Sequence, residues 1–157
     1  MSAGHSEPLT LGTFVLNDRE FGVDLLKQRE VLRMLPVTRV PQAAPYLEGV
    51  INLRGSLIPV VNLRARFGMP HAPFDKMTRI VTIEVTESLA AGFIVDRVGQ
   101  VRKIDRNAIE PPPAVISSVD ADYLQGVANC GETLLLVLDI ARLFTDEEIG
   151  DLGAVAQ

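Results

Sequence analysis

Sliding the chain by 77 residues lays Tyr46–Phe67 on Tyr123–Phe144 without a gap. The identical pairs are Tyr46/Tyr123, Leu47/Leu124, Gly49/Gly126, Val50/Val127, Asn52/Asn129, Leu57/Leu134, Val60/Val137 and Phe67/Phe144. That is 8 of 22 positions, where unrelated segments of average composition would share about one or two. A weaker echo pairs "FGVDLLKQREV" with "AGFIVDRVGQV". Duplication at this period constrains the fold strongly. Each unit is too short to bury much surface alone, so two similar β units must pack on each other and share a core. The expected architecture is two small barrels with a seam between them.

Residue pattern supports the β reading. Hydrophobic residues make up 47% of the chain with aromatics only 5% and Trp absent, so Val, Leu and Ile must build the core, a bias toward strands. Two apolar stretches around Asn17-Asp18-Arg19 predict a hairpin. "KQREVLRMLPVTRVP" alternates as a half-buried strand closed by Pro36 and Pro41. In "YLEGVINLRGSLIPVV" two apolar arms flank a Gly55-Ser56 turn, and Pro59 predicts an edge strand or a bulge. "VNLRARFG" reads as a short helix capped by Asn62, whose place in the repeat Asp139 takes, and stopped by Gly68. A further hairpin is expected around Thr86-Glu87-Ser88, a long connection at Pro111–Pro113, and a capped helix from the Thr145…Glu148 box. Residues 1–9 are expected to be a flexible N-terminus, followed by one domain over 10–157 with approximate units 10–68 and 78–144 and chain ends free to cross between them.

Catalytic chemistry finds little support. The formal net charge is −5 with pI near 5.0, and no basic stripe interleaved with aromatics points to nucleic acid. Cys130 is alone, which excludes an intrachain disulfide; it replaces Leu53 in the repeat and reads as a small packing group. His5 and His71 stand in loose segments, and Ser117-Ser118 has no nearby histidine base. The carboxylates Asp96, Asp105, Glu110, Asp120 and Asp122 lie beside turns or basic neighbours and read as solvated. Zinc-protease, Walker and nucleophile-elbow motifs are absent. No catalytic residue, metal or cofactor is therefore expected, although a small enzyme with a carboxylate site stays open. "MSAGHSEPLTLG" lacks the basic and apolar regions of a secretory leader, and no uncharged apolar run approaches the roughly 20 residues that span a bilayer. A cytoplasmic protein without direct membrane insertion is the expectation.

Binding is better supported. Lys27, Gln28, Arg29 and Glu30 interrupt an apolar segment, and Arg54 interrupts another. Each is compatible with the wet face of a strand. Arg54, however, meets Gly131 in the repeat while the apolar skeleton around it is kept. A catalytic group, a structural ion pair and a docking contact are the possible roles, and the single occurrence favours docking.

These stretches, "FGVDLLKQREVLR", "YLEGVINLRGSLIPVVNLRARFG", "GFIVDRVGQV" and "YLQGVANCGETLLLVLDIARLF", resemble the CheW family of chemotaxis coupling proteins. The resemblance spans Thr10 to Asp146, and "EGVINLRG" followed by "IPVVNLR" is its most specific part. It implies an all-β fold of two SH3-like five-stranded β-barrels packed around a shared hydrophobic core, with short helices. It also implies a non-enzymatic scaffold that bridges the cytoplasmic tip of methyl-accepting chemoreceptors to the regulatory domain of the histidine kinase CheA, recruited to membrane receptor arrays. Carried over by position, Gln28, Glu30, Gly49, Arg54, Val98 and Val101 fall on the receptor side, and Val37 and Leu57 on the kinase side. Gln28 departs from the apolar residue common there, which bears on receptor choice. Asn62 replaces a more frequent Asp and preserves capping. A CheW-like adaptor of pilus motility or second-messenger control is the alternative within the same fold.

Overall fold

The computed structural model describes residues 7–112 and 121–156; His5, Pro113, Ser117, Ser118 and Asp120 lie outside them. The duplication is visible strand by strand. β4 (Leu47–Leu53) and β5 (Ser56–Asn62) form one hairpin, and β11 (Leu124–Cys130) and β12 (Thr133–Leu138) form the other. Their registers coincide at the 77-residue offset: Leu47 faces Val61 as Leu124 faces Leu138, and Gly49 faces Val60 as Gly126 faces Val137. Both ladders slip by one residue between those two pairs, so each unit carries the same β-bulge. The caps repeat as well. Asn62 accepts from the Ala65 N–H at 3.2 Å to open α1 (Leu63–Arg66), and Asp139 accepts from the Ala141 N–H at 3.1 Å to open a 3-10 turn.

The remaining strands cross between units. β1 (Pro8–Leu16) and β2 (Arg19–Asp24) form the N-terminal hairpin, whose parallel partner is β12 from near the C-terminus. β6 (Arg79–Thr86) and β7 (Leu89–Val95) lie beside β5. One sheet thus runs β10-β11-β12-β2-β1, with β8 (Arg97–Val98) and β9 (Arg102–Asp105) both on the free edge of β1 and β10 being Ile109–Glu110. The other runs β3-β6-β7-β5-β4, with β3 (Gln28–Arg33) at its edge. The weaker echo has a structural meaning, since Gly22 faces Val137 in one sheet and Gly92 faces Val60 in the other. Two small cores fill the barrels, one around Leu11, Ile104 and Leu135, the other around Ile51, Ile80 and Ile94.

Three expectations need correction. Pro8 and Leu9 belong to β1, pairing with Asp105 and Ile104, and Leu9 is buried; the N-terminal segment is ordered two residues earlier than its polarity suggests. The turn after β4 is made by Arg54-Gly55, with Ser56 already in β5. Strand β5 is interior rather than an edge. Pro59 is tolerated because the ladder to β7 begins at Val60, and the bulge lies in the facing strand. The expected two-barrel fold is present; one sheet has seven strands and the other five, because two short segments flank β1 where the other sheet has β3 and β10 adds a strand outside β11.

A third and larger core lies between the sheets. It takes seven of the eight aromatic side chains, only Phe74 remaining outside. Repeated residues meet their counterparts' partners there: Tyr46 on Phe144 and Phe67 on Tyr123, both with ring centroids 5.6 Å apart. Arg66 inserts its guanidinium among these rings, 4.8 Å from Tyr46, 5.4 Å from Tyr123 and 5.3 Å from Phe144. It donates to the Leu143 carbonyl at 2.9 Å and, through two parallel bonds of 2.9 and 2.8 Å, to Glu148. Glu148 lies in α2 (Asp146–Val155), where it also completes the capping box with Thr145. A second latch joins Arg64 of α1 to Asp96 by bonds of 2.9 and 2.6 Å, and Asp96 accepts from the Asn17 N–H of the first hairpin turn.

Both carboxyls titrate below their ordinary values. Burial alone would raise them, but hydrogen bonds from Arg64 and the Asn17 N–H at Asp96, and from Arg66 and Thr145 at Glu148, outweigh it. The stability they supply is therefore complete above the ordinary values of 3.8 and 4.5 and is lost as pH falls through the lower folded ones. Glu148→Gln should cost about 2 kcal/mol at pH 7, and its deficit against the unsubstituted protein should shrink as pH is lowered through that window. Urea unfolding across a pH series measures this, and a deficit independent of pH would show that the charge on Glu148 is not what matters.

Candidate docking surface

Arg54 occupies the first position of the β4–β5 turn with φ of +52°, followed by Gly55 at +88°. Those angles match a turn whose twist suits a hairpin, and the Asn52 side chain accepts the Gly55 N–H at 2.9 Å. A left-handed arginine costs about 1 kcal/mol relative to glycine. At the equivalent place the other unit has Gly131, at φ +76°. Both positions carry positive φ, but the turns differ, since Gly55 also has positive φ whereas Glu132, which follows Gly131, does not.

The Arg54 guanidinium bonds the Glu30 carboxylate. Glu30 is fixed in turn: its N–H donates to Thr82 Oγ1 at 2.9 Å, and the Thr82 hydroxyl, in a buried side chain, returns a bond of 3.3 Å to its carbonyl. A bulge at Arg29 separates Glu30 from Gln28 along β3, and Arg29 is itself paired with Glu84 at 3.5 Å. The ion pair stands at the rim of an open groove of about 740 Å³ that includes Leu53, Leu57, Ile58 and, from α2, Ile149.

Other expected contacts lie elsewhere. Val98 and Val101 are 38% and 57% exposed at the edge of the other sheet, where Val98 pairs with Phe14 of β1. Gln28 connects the two regions, since its carboxamide rests on Gly12, two residues before Phe14. Gly49 is buried: a methyl there would overlap the Thr38 carbonyl and come within 2.8 Å of Val37 Cγ1. It permits the Thr38–Val50 bridge and offers no side chain to a partner. Val37 is half-buried over the second barrel's core, and Leu57 lines the Arg54 groove, so the residues assigned to the two faces are neighbours.

Sequence reasoning passed over Val31, which pairs with Val81 on the seam-facing side of β3 and remains 43% exposed because β3 is an edge. Its alternation alone signals an inward residue, and nothing local announces the edge. Among the described residues no group of three or more His, Cys, Asp and Glu side chains converges as a metal site would require. Asp96 is committed to Arg64, and Cys130 packs against the first barrel's core. The surface carries an oriented ion pair, a groove, and apolar side chains along an edge of each sheet.

The fold and surface define a two-barrel, SH3-like binding protein. Residues 11–148 match the CheW-like domain family, and the chain belongs to it. It is 33% identical over 155 residues to the chemotaxis protein CheW of Treponema pallidum, covering 96% of this chain and 91% of that one. It is 31% identical to the chemotaxis protein CheW of Klebsiella aerogenes, covering 92% and 86%. The crystal structure of the scaffolding protein TtCheW from Thermoanaerobacter tengcongensis superimposes with a TM-score of 0.80 at 35% identity, covering 87% of this chain and 92% of that one.

The two glycine positions give opposite expectations. Arg54→Gly should leave the melting temperature unchanged or slightly raised, because relief at the turn offsets an exposed ion pair worth at most about 1 kcal/mol. Gly49→Ala should destabilise by about 2 kcal/mol or more through the clash with Thr38. Thermal denaturation of both variants tests this. A large loss in Arg54→Gly would make that arginine structural.

Proposed function

We propose that the protein is a non-enzymatic scaffold that couples the cytoplasmic tip of methyl-accepting chemoreceptors to the regulatory domain of a CheA-type histidine kinase. The observation that carries this reading is Arg54, retained in a strained turn where its duplicate is glycine and aimed by Glu30 at an open groove. Membership of the CheW-like family, with relatives named as chemotaxis and scaffolding proteins, supports it.

Receptor tips present amphipathic helices, for which an apolar surface with polar anchors is the complementary site. Val98 and Val101 supply apolar contact. Gln28, Glu30 and Arg54 supply the polar part, the guanidinium offering planar donors to a carboxylate or to carbonyls at a helix C-terminus. Gly49 acts indirectly, holding β4 against Thr38 so that the Arg54 turn is correctly placed. Val37 and Leu57 face the kinase, whose barrels meet the surface that these two residues share. No cofactor or metal takes part, and no nucleic acid. Among the described residues no helix is long and apolar enough to cross a membrane, so the protein reaches receptor arrays by recruitment. Signal passes as a change in relative geometry.

Reconstitution with cognate receptor tip and kinase should raise kinase autophosphorylation several-fold over kinase alone. Arg54→Glu should lower receptor pull-down about tenfold or more, the scale of a central anchor, with the fold intact. Unchanged autophosphorylation with all parts present would refute the coupling reading.

A further inference from the structure

At the seam edge, the side chain of Gln28 makes no hydrogen bond among the described residues. Gln28 is half-buried, and its carboxamide lies over Gly12, where even a methyl group would collide with it. Its backbone N–H is used by the Leu25 carbonyl at 3.2 Å. Among the described residues, no donor or acceptor satisfies the carboxamide. Around it stand exposed apolar groups: Val31 on the same strand, and Val98 and Val101 beside the stretch of β1 that Gln28 covers. Arg29 is paired with Glu84, Glu30 with Arg54 and Arg102 with Glu20, while Lys27, beside Gln28, and Arg97, beside Val98, form no ion pair among the described residues. A carboxylate in the partner is therefore the competing occupant, which the Glu members of the panel below test.

Docking a helix here removes water from the carboxamide. A partner with only apolar side chains in its stripe would leave one donor group and one acceptor unsatisfied, which is costly once they are buried. A second carboxamide is the neutral group that satisfies both by two reciprocal bonds; a hydroxyl reaches one at a time. Sites built around a hydrogen-bonding group reject analogues that lack it far better than apolar pockets reject an extra methylene.

Resting on the receptor-coupling reading above, we propose that Gln28 is a specificity determinant: it selects a partner helix that carries an Asn or Gln within its apolar stripe, opposite the Gly12–Gln28 contact.

The test uses the full chain and a panel of crosslinked helical hairpins with the receptor-tip sequence. Members are identical except for Gln, Leu or Glu at successive stripe positions. Calorimetric titration should find one position where the unsubstituted protein prefers Gln over Leu by about tenfold, equivalent to about 1.4 kcal/mol. Gln28→Leu should reverse that preference while leaving the melting temperature unchanged. Hairpins that bind with the same ranking whatever stands at residue 28 would overturn the inference and leave the coupling reading intact. No binding of any hairpin by the unsubstituted protein would overturn both.

Discussion

Everything in this molecule is organised around the guanidinium of Arg66. It sits where the two units meet, against aromatic rings contributed by both, and donates to the carbonyl of Leu143, its own counterpart at the 77-residue offset. A buried cation is tolerated only when its donors are used and its charge is matched. Here a carboxylate supplies two bonds, a carbonyl supplies a third, and ring faces cover the rest. Because Glu148 belongs to α2, the same contact fixes the C-terminal helix, whose Leu152 is buried in the seam and whose Ile149 lines the groove near Arg54. One side chain thus ties the two units, the last helix and the candidate docking groove together.

Strand exchange makes that junction obligatory. The N-terminal hairpin completes the sheet that holds the last hairpin, while the middle hairpin completes the sheet that holds β4 and β5. One barrel, β3–β7, is a continuous stretch from Gln28 to Val95 inserted between β2 and β8 of the other, so the two are joined at the crossings Leu25–Gln28 and Val95–Arg97 and neither can rotate far without pulling on both. The facing edges β3 and β8 are consequently held at a defined separation, with Gln28 reaching across to Gly12. A partner helix lying along those edges would read the relative position of two barrels at once.

The sequence made the pairing of units legible because the repeat preserves what backbone geometry demands: a bulge glycine, a turn and an aspartate or asparagine cap. Glycines at 49 and 126 admit a neighbouring backbone, and no other residue would do, so duplication could not erase them. The cap at Asn62 was readable for the same reason. Contacts between distant segments were not. Arg66 looks like one of several arginines in a short amphipathic helix, and Glu148 is fully explained by its capping box; only the tertiary fold shows that they bond each other. The edge position of β3, and hence the exposure of Val31, depends on strand order, which local alternation does not encode. Gln28, Glu30 and Arg54 could be singled out as polar interruptions, but not the bulge at Arg29 that turns Gln28 toward the seam and leaves Glu30 with Arg54.

Arg54 shows how the two kinds of reasoning correct each other. Its occurrence in only one unit suggests a special task, on the premise that the barrel treats both positions alike. The premise holds only in part: both positions have positive φ, but Gly55 continues it and Glu132 does not, so the two hairpins turn differently. The conformation explains why glycine suits Gly131, but it leaves the arginine unexplained, since an arginine there pays a conformational cost that the exposed pair with Glu30 can at best offset. Backbone strain retained without compensating packing is the pattern expected where a side chain is needed at a fixed place for a partner. The turn also limits how that side chain can search. With Asn52 holding Gly55 and Glu30 holding the guanidinium, the donors are oriented before any partner arrives. Less rotamer freedom is then lost on docking, so an anchor at a hairpin tip can act as though it were part of a rigid surface.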